Sequence, residues 1–342
     1  MYTRRLERGA GSAPKKLIRI RLIVAGIIVL CAGLLIVQTL TLEHDTQTGG
    51  FLSLQMPFLY AMVPDLESGE GIPDANGSGN NKESMVPNVD IDDGVDQDIR
   101  FELLNAPEFN NMDLSGSEPK ILIYHTHTTE AYTPTSKYQY KETTKWRTND
   151  QTRSVVAVGD ELARILREEY GYSVIHDTTD HEPPKLATSY SRSEQTMMRY
   201  REEYPSISLY IDLHRDAYNT KGDANNTDYA VIDGERVARL MFVVGTGEGA
   251  TGQGFGEMPD FSSNYALAKR ITDRLAGFND RLVRNIRVKT GRYNQHISNQ
   301  CLLVEVGHNA NTLEEALASV KYLAAAIAES AGGKPDILTL TP

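Results

Sequence analysis

Apolar positions change their spacing several times along the chain. Leu22 to Leu42 is an uncharged stretch of 21 residues, relieved only by glycines, Cys31 and the weakly polar Gln38, Thr39 and Thr41. As a helix it would span roughly 31 Å at about 1.5 Å per residue, which matches a hydrocarbon core of about 30 Å. A second apolar run, Phe51 to Val63, is too short to span and is interrupted by Pro57. The rest of residues 43–117 is rich in Gly, Ser, Asn and acids, a composition that predicts a flexible linker rather than a packed core.

From Pro119 onward short apolar runs alternate with helical periodicity. Lys120–Tyr124 (KILIY) reads as a buried strand. Ser154–Tyr170 places Val155, Val158, Leu162, Ile165 and Leu166 on one helical face, and Gly171 stops it. Tyr172–His176 reads as the next strand, Ser191–Glu203 as a helix ending before Pro205, and Ile207–Leu213 (ISLYIDL) as a third strand. Ala238–Val244 is a fourth strand, Ser263–Phe278 a helix and Cys301–Val306 (CLLVEV) a late strand. Thr312–Ser330 closes the chain as a helix, with Thr312 and Glu315 at capping-box spacing. Apolar strands separated by helices predict an α/β domain over residues 118–335, its mostly parallel sheet flanked by helices on both faces. In such a sheet, functional groups gather at the carboxyl ends of strands.

Charge sharpens this division. The formal net charge of −11 separates into +6 for residues 1–21, none for 22–42, −13 for 43–117 and −4 for the rest. Basic residues before the apolar stretch, with Glu43 and Asp45 after it, predict a single-pass transmembrane helix with a cytoplasmic N-terminus and an extracytoplasmic domain. A cleavable signal peptide is the alternative, but the run exceeds an ordinary apolar core and no small-x-small site follows it. Two distant cysteines exclude a disulfide scaffold, and the acidic balance argues against nucleic-acid binding. The glycine-rich VGTGEGATGQGFG lacks the Gly-Lys-Ser/Thr of a nucleotide loop.

Three strand ends carry residues suited to chemistry. The first runs into IYHTHTTEAY, with His125, His127 and Glu130; the third into DLHRDA, with Asp212, His214, Arg215 and Asp216; the late one into VEVGHNAN, with Glu305 and His308. A hydrolytic zinc site needs neutral imidazoles and a carboxylate as ligands, an open position for water, and a carboxylate to take that water's proton. His125 and His127 point the same way on an extended backbone, while a turn at the strand end would separate them, so either or both could face a metal. His214 is a candidate ligand oriented by Asp212 or Asp216. Arg215 is a candidate substrate contact or the partner of these acids. Glu305 interrupts an apolar strand, where a carboxylate is costly unless paired or beside a metal, and is the candidate general base.

YHTHTTEAY, DLHRDA and LLVEVGHNANTLEEA, in this order behind an N-terminal anchor, resemble the stage II sporulation protein P family of endospore-forming bacteria. The resemblance runs from about Lys120 to Ser330 and extends more distantly to the zinc N-acetylmuramoyl-L-alanine amidases of the third amidase class. It implies a mixed α/β sheet, zinc held by His, Glu and His, and a catalytic Glu on the late strand. The activity implied is cleavage of the amide between N-acetylmuramic acid and L-alanine in peptidoglycan, with endopeptidase action on cross-links also described for the family. His127 falls in the first ligand place, His214 in the third, and Glu305 in the catalytic place. The middle ligand departs from the wider pattern, because RTNDQTRSVV before the first helix has no Glu; Glu130 is the substitute and Asp150 the fallback. Implied partners are the engulfment membrane proteins, one resembling a lytic transglycosylase and one a multispanning scaffold. The rival functions are a peptidase confined to cross-links and a non-catalytic wall-binding scaffold.

Overall fold

The computed structural model describes residues 89–92, 95, 103, 107–109, 112–217, 228–249 and 254–333. The expected membrane helix at 22–42 and most of the acidic linker lie outside these residues. Among the described residues no helix is long and apolar enough to cross a membrane.

Among the described residues nine strands and four α-helices follow one another as β1 (Val89–Ile91), β2 (Ile121–Tyr124), α1 (Val155–Glu168), β3 (Val174–His176), α2 (Ser189–Glu203), β4 (Leu209–Asp216), β5 (Tyr229–Ile232), β6 (Glu235–Ala238), β7 (Leu240–Gly245), α3 (Phe261–Phe278), β8 (Ile286–Lys289), β9 (Cys301–His308) and α4 (Leu313–Ser330). Seven strands form one sheet in the order β1-β8-β7-β9-β4-β2-β3, and β5 and β6 form a separate hairpin. Every pairing in the large sheet is parallel except β7 with β9. The sheet is therefore mixed and mostly parallel, two parallel blocks of opposite direction that meet at the β7–β9 seam.

Side chains alternate between its faces, as a pleated strand requires. Ile121, Ile123, Leu209, Ile211, Leu213, Leu302, Val304 and Val306 pack with α1, α3 and α4 into the main core. Leu122, Tyr124, Tyr210 and Cys301 face Met197 of α2 on the other side. Helix α1 begins at Ser154, whose side chain accepts from Val156 N–H, and α4 at Thr312 with the expected capping box.

The segment 43–117, expected to be a linker, supplies an edge strand. β1 pairs with β8, and Met112 and Leu114 are buried in the core, so the folded region begins well before residue 118. The acidic run hides an alternation: Val89 is buried while Asp90 is exposed, and Asp92 meets Lys289 at 3.0 Å and Arg287 at 3.8 Å. Bases on β8 thus meet a charge whose density alone suggested an unpaired chain.

Candidate active site

The sheet's alternation decides which polar residues can meet. Asp212 and His214 share one face of β4, and Glu305 of β9 lies opposite His214 in register. One residue beyond that pair the ladder shifts: His214 pairs with Glu305 but Asp216 with His308, so β9 carries an extra residue. Gly307, with φ +66°, takes up this bulge. A Cβ there would lie 2.8 Å from Asn311 Oδ1 and 2.9 Å from Ala238 Cβ, so glycine is required by both conformation and space.

His127, Glu130 and His214 come together beside Glu305. The His127 and His214 rings stand edge to face, with centroids 5.4 Å apart. Glu130 Oε2 lies 3.4 Å from His214 Nδ1, and Asp212 Oδ1 lies 2.9 Å from His214 Nε2. Asp212 is itself held by Thr126, whose N–H donates to Oδ1 at 2.8 Å and whose hydroxyl donates to Oδ2 at 2.7 Å. Burial opposes both charges, but the His214 imidazole and these donors hold Asp212 below the ordinary carboxylate range. Burial likewise disfavours the His214 cation, yet Asp212 and Glu130 raise it well above an ordinary imidazole. Glu130 is fully buried; against the cost of that burial, His214, Arg215 and Arg147 keep it ionised.

The two histidines of the first strand end part company. His125 continues the β2 alternation toward α1, donating from Nδ1 to Leu213 O at 2.9 Å, while its Nε2 meets His176 Nε2 at 2.8 Å. His176 in turn contacts Asp160 Oδ1 at 2.9 Å. Both nitrogens of His125 are committed on the face away from His214, so the turn after Tyr124 leaves His127 alone in the cluster. Burial pushes His127 down to about 3, which keeps it in the neutral form that binds metal.

Arg215 does not face the cluster as a substrate contact. Its guanidinium donates to Ala131 O at 2.8 Å and Trp146 O at 2.8 Å, fastening the loop that carries Glu130, while its backbone N–H donates to Glu130 Oε2 at 3.2 Å. Asp150, the fallback ligand, is exposed and caps the short helical turn at Gln151–Arg153. Glu305 is buried, and burial, followed by Asp216, pushes its carboxyl up to about 8. Its Oε2 has no hydrogen-bond partner among the described protein groups. His308 accepts from Ala310 N–H through Nδ1 at 3.0 Å and turns Nε2 toward Asp228 at 3.6 Å.

Arg147, Glu182 and Tyr190 were not foreseen from the sequence. Arg147 reaches Glu130 Oε1 at 3.4 Å and Glu182 Oε1 at 2.9 Å. Glu182 also accepts from Thr129 N–H at 3.2 Å and from its hydroxyl at 2.6 Å, and lies 3.8 Å from His127 Nδ1. Tyr190 stands edge to face on His127 with centroids 5.8 Å apart.

The family comparison bears on this geometry. The model for "Stage II sporulation protein P (SpoIIP)" matches residues 64–328. The chain belongs to this family. A curated relative, the stage II sporulation protein P of Bacillus subtilis (strain 168), is 28% identical over 222 residues. That match takes in 62% of this chain and 51% of the relative, so the chain spans about half the length of the relative it matches. Solved structures with similarity include the N-acetylmuramoyl-L-alanine amidase AmiC2 of Nostoc punctiforme, 17% identical, covering 63% of this chain and 97% of that one with a TM-score of 0.34. The N-acetylmuramoyl-L-alanine amidase of Clostridium difficile 630 is 13% identical, covering 63% and 95%, with a TM-score of 0.36. The family match begins at residue 64, ahead of β1, in accord with a folded region that takes in part of the acidic segment.

The donor set of this sporulation-family domain can be tested against zinc. Two ligands about 2.0–2.1 Å from a tetrahedral ion lie about 3.3 Å apart, close to the 3.4 Å between His214 Nδ1 and Glu130 Oε2. The Asp212 contact to the far nitrogen is the carboxylate–histidine arrangement that orients metal-binding imidazoles. Among the described residues no three such donors converge to coordination distance as they stand. The residue types fit zinc, and one pair of donors, His214 and Glu130, already stands at a ligand-to-ligand spacing.

Proposed function

We propose that this domain is a zinc-dependent peptidoglycan hydrolase that cuts the amide between N-acetylmuramic acid and L-alanine. In this reading it works on the extracytoplasmic side of a membrane, tethered by the apolar stretch at 22–42 and acting with other engulfment membrane proteins during sporulation. The observation that carries the reading is the meeting of His127, Glu130 and His214, from two separate strand ends, with a buried Glu305 whose Oε2 has no hydrogen-bond partner among the described residues.

His127, Glu130 and His214 would hold the zinc. Bound there, zinc supplies a Lewis acid and lowers the pKa of a water molecule. Asp212 keeps the far nitrogen of His214 protonated, which directs the other toward the ligand position. Arg147 and the Arg215 backbone N–H hold the Glu130 carboxylate in place. Glu305, with its affinity for protons raised by burial, accepts a proton at Oε2 from the attacking water and returns it to the leaving nitrogen.

The test is digestion of purified peptidoglycan by the full chain in mild detergent, with products read by mass spectrometry and bound metal measured on the same sample. Free stem peptides are expected from the unchanged chain, and none from Glu305→Ala or His214→Ala. Split cross-links with intact muramoyl amides would make the enzyme a peptidase. Activity surviving both substitutions would refute the site, and loss of all hydrolysis and metal would leave a wall-binding scaffold.

A further inference from the structure

Among the buried polar atoms that meet no hydrogen-bond partner within the described residues are Glu305 Oε2, an acceptor, and the hydroxyl oxygen of Tyr190, which can donate. Such an atom costs about 1–3 kcal/mol when left unmet, and a folded protein tolerates the cost where a ligand completes the bond.

The rest of Tyr190 is firmly placed. It lies in the first turn of α2, its ring packed edge to face between His127, at 5.8 Å, and Tyr293, at 5.7 Å. Asn294 donates to the Tyr190 carbonyl at 2.9 Å and to Ser193 Oγ at 3.0 Å. Ser193 Oγ meets Thr126 Oγ1 at 2.8 Å, and Thr126 Oγ1 donates to Asp212, the carboxylate that orients His214. The turn bearing Tyr190 is thus bound to the same network that sets the cluster. Packing fixes the ring, and the residue as a whole is only partly buried. The ring is packed on both sides, whereas the hydroxyl meets no hydrogen-bond partner among the described residues.

We propose that Tyr190 is a catalytic residue whose hydroxyl donates a hydrogen bond to the carbonyl oxygen of the scissile amide as that oxygen gains negative charge. This rests on the hydrolase reading above and deepens it. Water adds to the carbonyl carbon, the electron pair of the C=O bond moves onto oxygen, and the phenol keeps its proton while stabilising that charge. When the C–N bond breaks, the pair returns to the carbonyl and the leaving nitrogen is protonated from Glu305.

Tyr190→Phe keeps the ring and removes only the hydroxyl. The full chain carrying it should lose about 10²-fold in kcat on a muramoyl peptide, the effect of deleting one donor to an oxyanion, with KM within about twofold. A tetrahedral phosphinate analogue of the muramoyl–alanine amide should bind about 10²-fold more weakly. The intact muramoyl peptide, measured in a Glu305→Ala background where it is not turned over, should bind equally with or without the Tyr190 hydroxyl. Thermal stability should be unchanged or higher, because an unmet buried group has been removed; a purely structural hydroxyl would lower it. Undiminished kcat and analogue affinity in Tyr190→Phe, with the unchanged chain active, overturn the inference alone. An inactive unchanged chain that binds neither probe overturns the hydrolase reading and this inference with it.

Discussion

Replacing Gly159 by alanine sets two effects of opposite sign against each other. Gly159 is inside α1, where alanine is favoured over glycine by about 1 kcal/mol on helix propensity alone. A Cβ at this position would lie 2.6 Å from His176 Nε2, 2.7 Å from His125 Nε2 and 2.8 Å from His125 Cε1. Those atoms belong to two rings bonded to each other at 2.8 Å, one of them also bonded to Leu213 O at 2.9 Å, so neither is a free end that can swing aside. Forcing a methyl group into such a contact costs about 1–3 kcal/mol, and breaking the ring-to-ring hydrogen bond costs roughly 1 kcal/mol more. Set against the propensity gain, the net loss is about 1–3 kcal/mol. Urea unfolding followed by circular dichroism should show the midpoint falling by roughly 1 M with the slope unchanged, for slopes of about 1–3 kcal/mol per molar. Hydrolysis should weaken too, because His125 holds the carbonyl of the residue before His214. A midpoint equal to or above that of the unchanged chain would refute the close approach of α1 to the histidine pair.

Zinc binding should release about one proton at neutral pH, because the raised His214 must give up its proton to become a ligand; calorimetry in two buffers of different ionisation enthalpy reads this, and no release would show that His214 is already neutral. The same group sets a pH dependence for the metal-free chain: its ion pairs contribute in full below the unfolded value of 6.5 and are lost as pH rises through the raised folded value. Thermal unfolding of the chelator-treated protein should therefore fall from pH 6.5 upward, and a midpoint that rises would contradict the assignment. Arg147→Ala leaves Glu130 and Glu182 without their shared cation and should weaken zinc about 10- to 100-fold. Competition with a chromophoric chelator measures it, and unchanged affinity would remove Arg147 from the support of the site.

How much of this was legible in the sequence depended on contrast. An acid in CLLVEV and a histidine after ISLYIDL stand out against apolar neighbours, so Glu305 and His214 were readable at once. His127 and Glu130 were visible as a cluster, but choosing between His125 and His127 needed the direction of the turn after Tyr124. Arg147, Glu182 and Tyr190 sit in polar loops or at a helix start, where their residue types are ordinary; only folding those loops back over β2 and β4 gives them a role. β8 has just two buried positions, Ile286 and Val288, between basic residues, and β1 lies within an acidic run, so neither shows the apolar density of a core strand. Arg215 was noticed for its charge, whereas its work is to hold the carbonyls of a loop distant in sequence.

The single antiparallel seam between β7 and β9 has a geometric consequence. Because β1, β8 and β7 run opposite to β9, β4 and β2, the end of the sheet where β1 starts is the end where β2, β4 and β9 finish. The first described strand, β1, therefore starts at the same end of the sheet at which β4 and β9 bring His214 and Glu305 together, so the acidic edge strand and the buried histidine–carboxylate cluster share one rim of the domain.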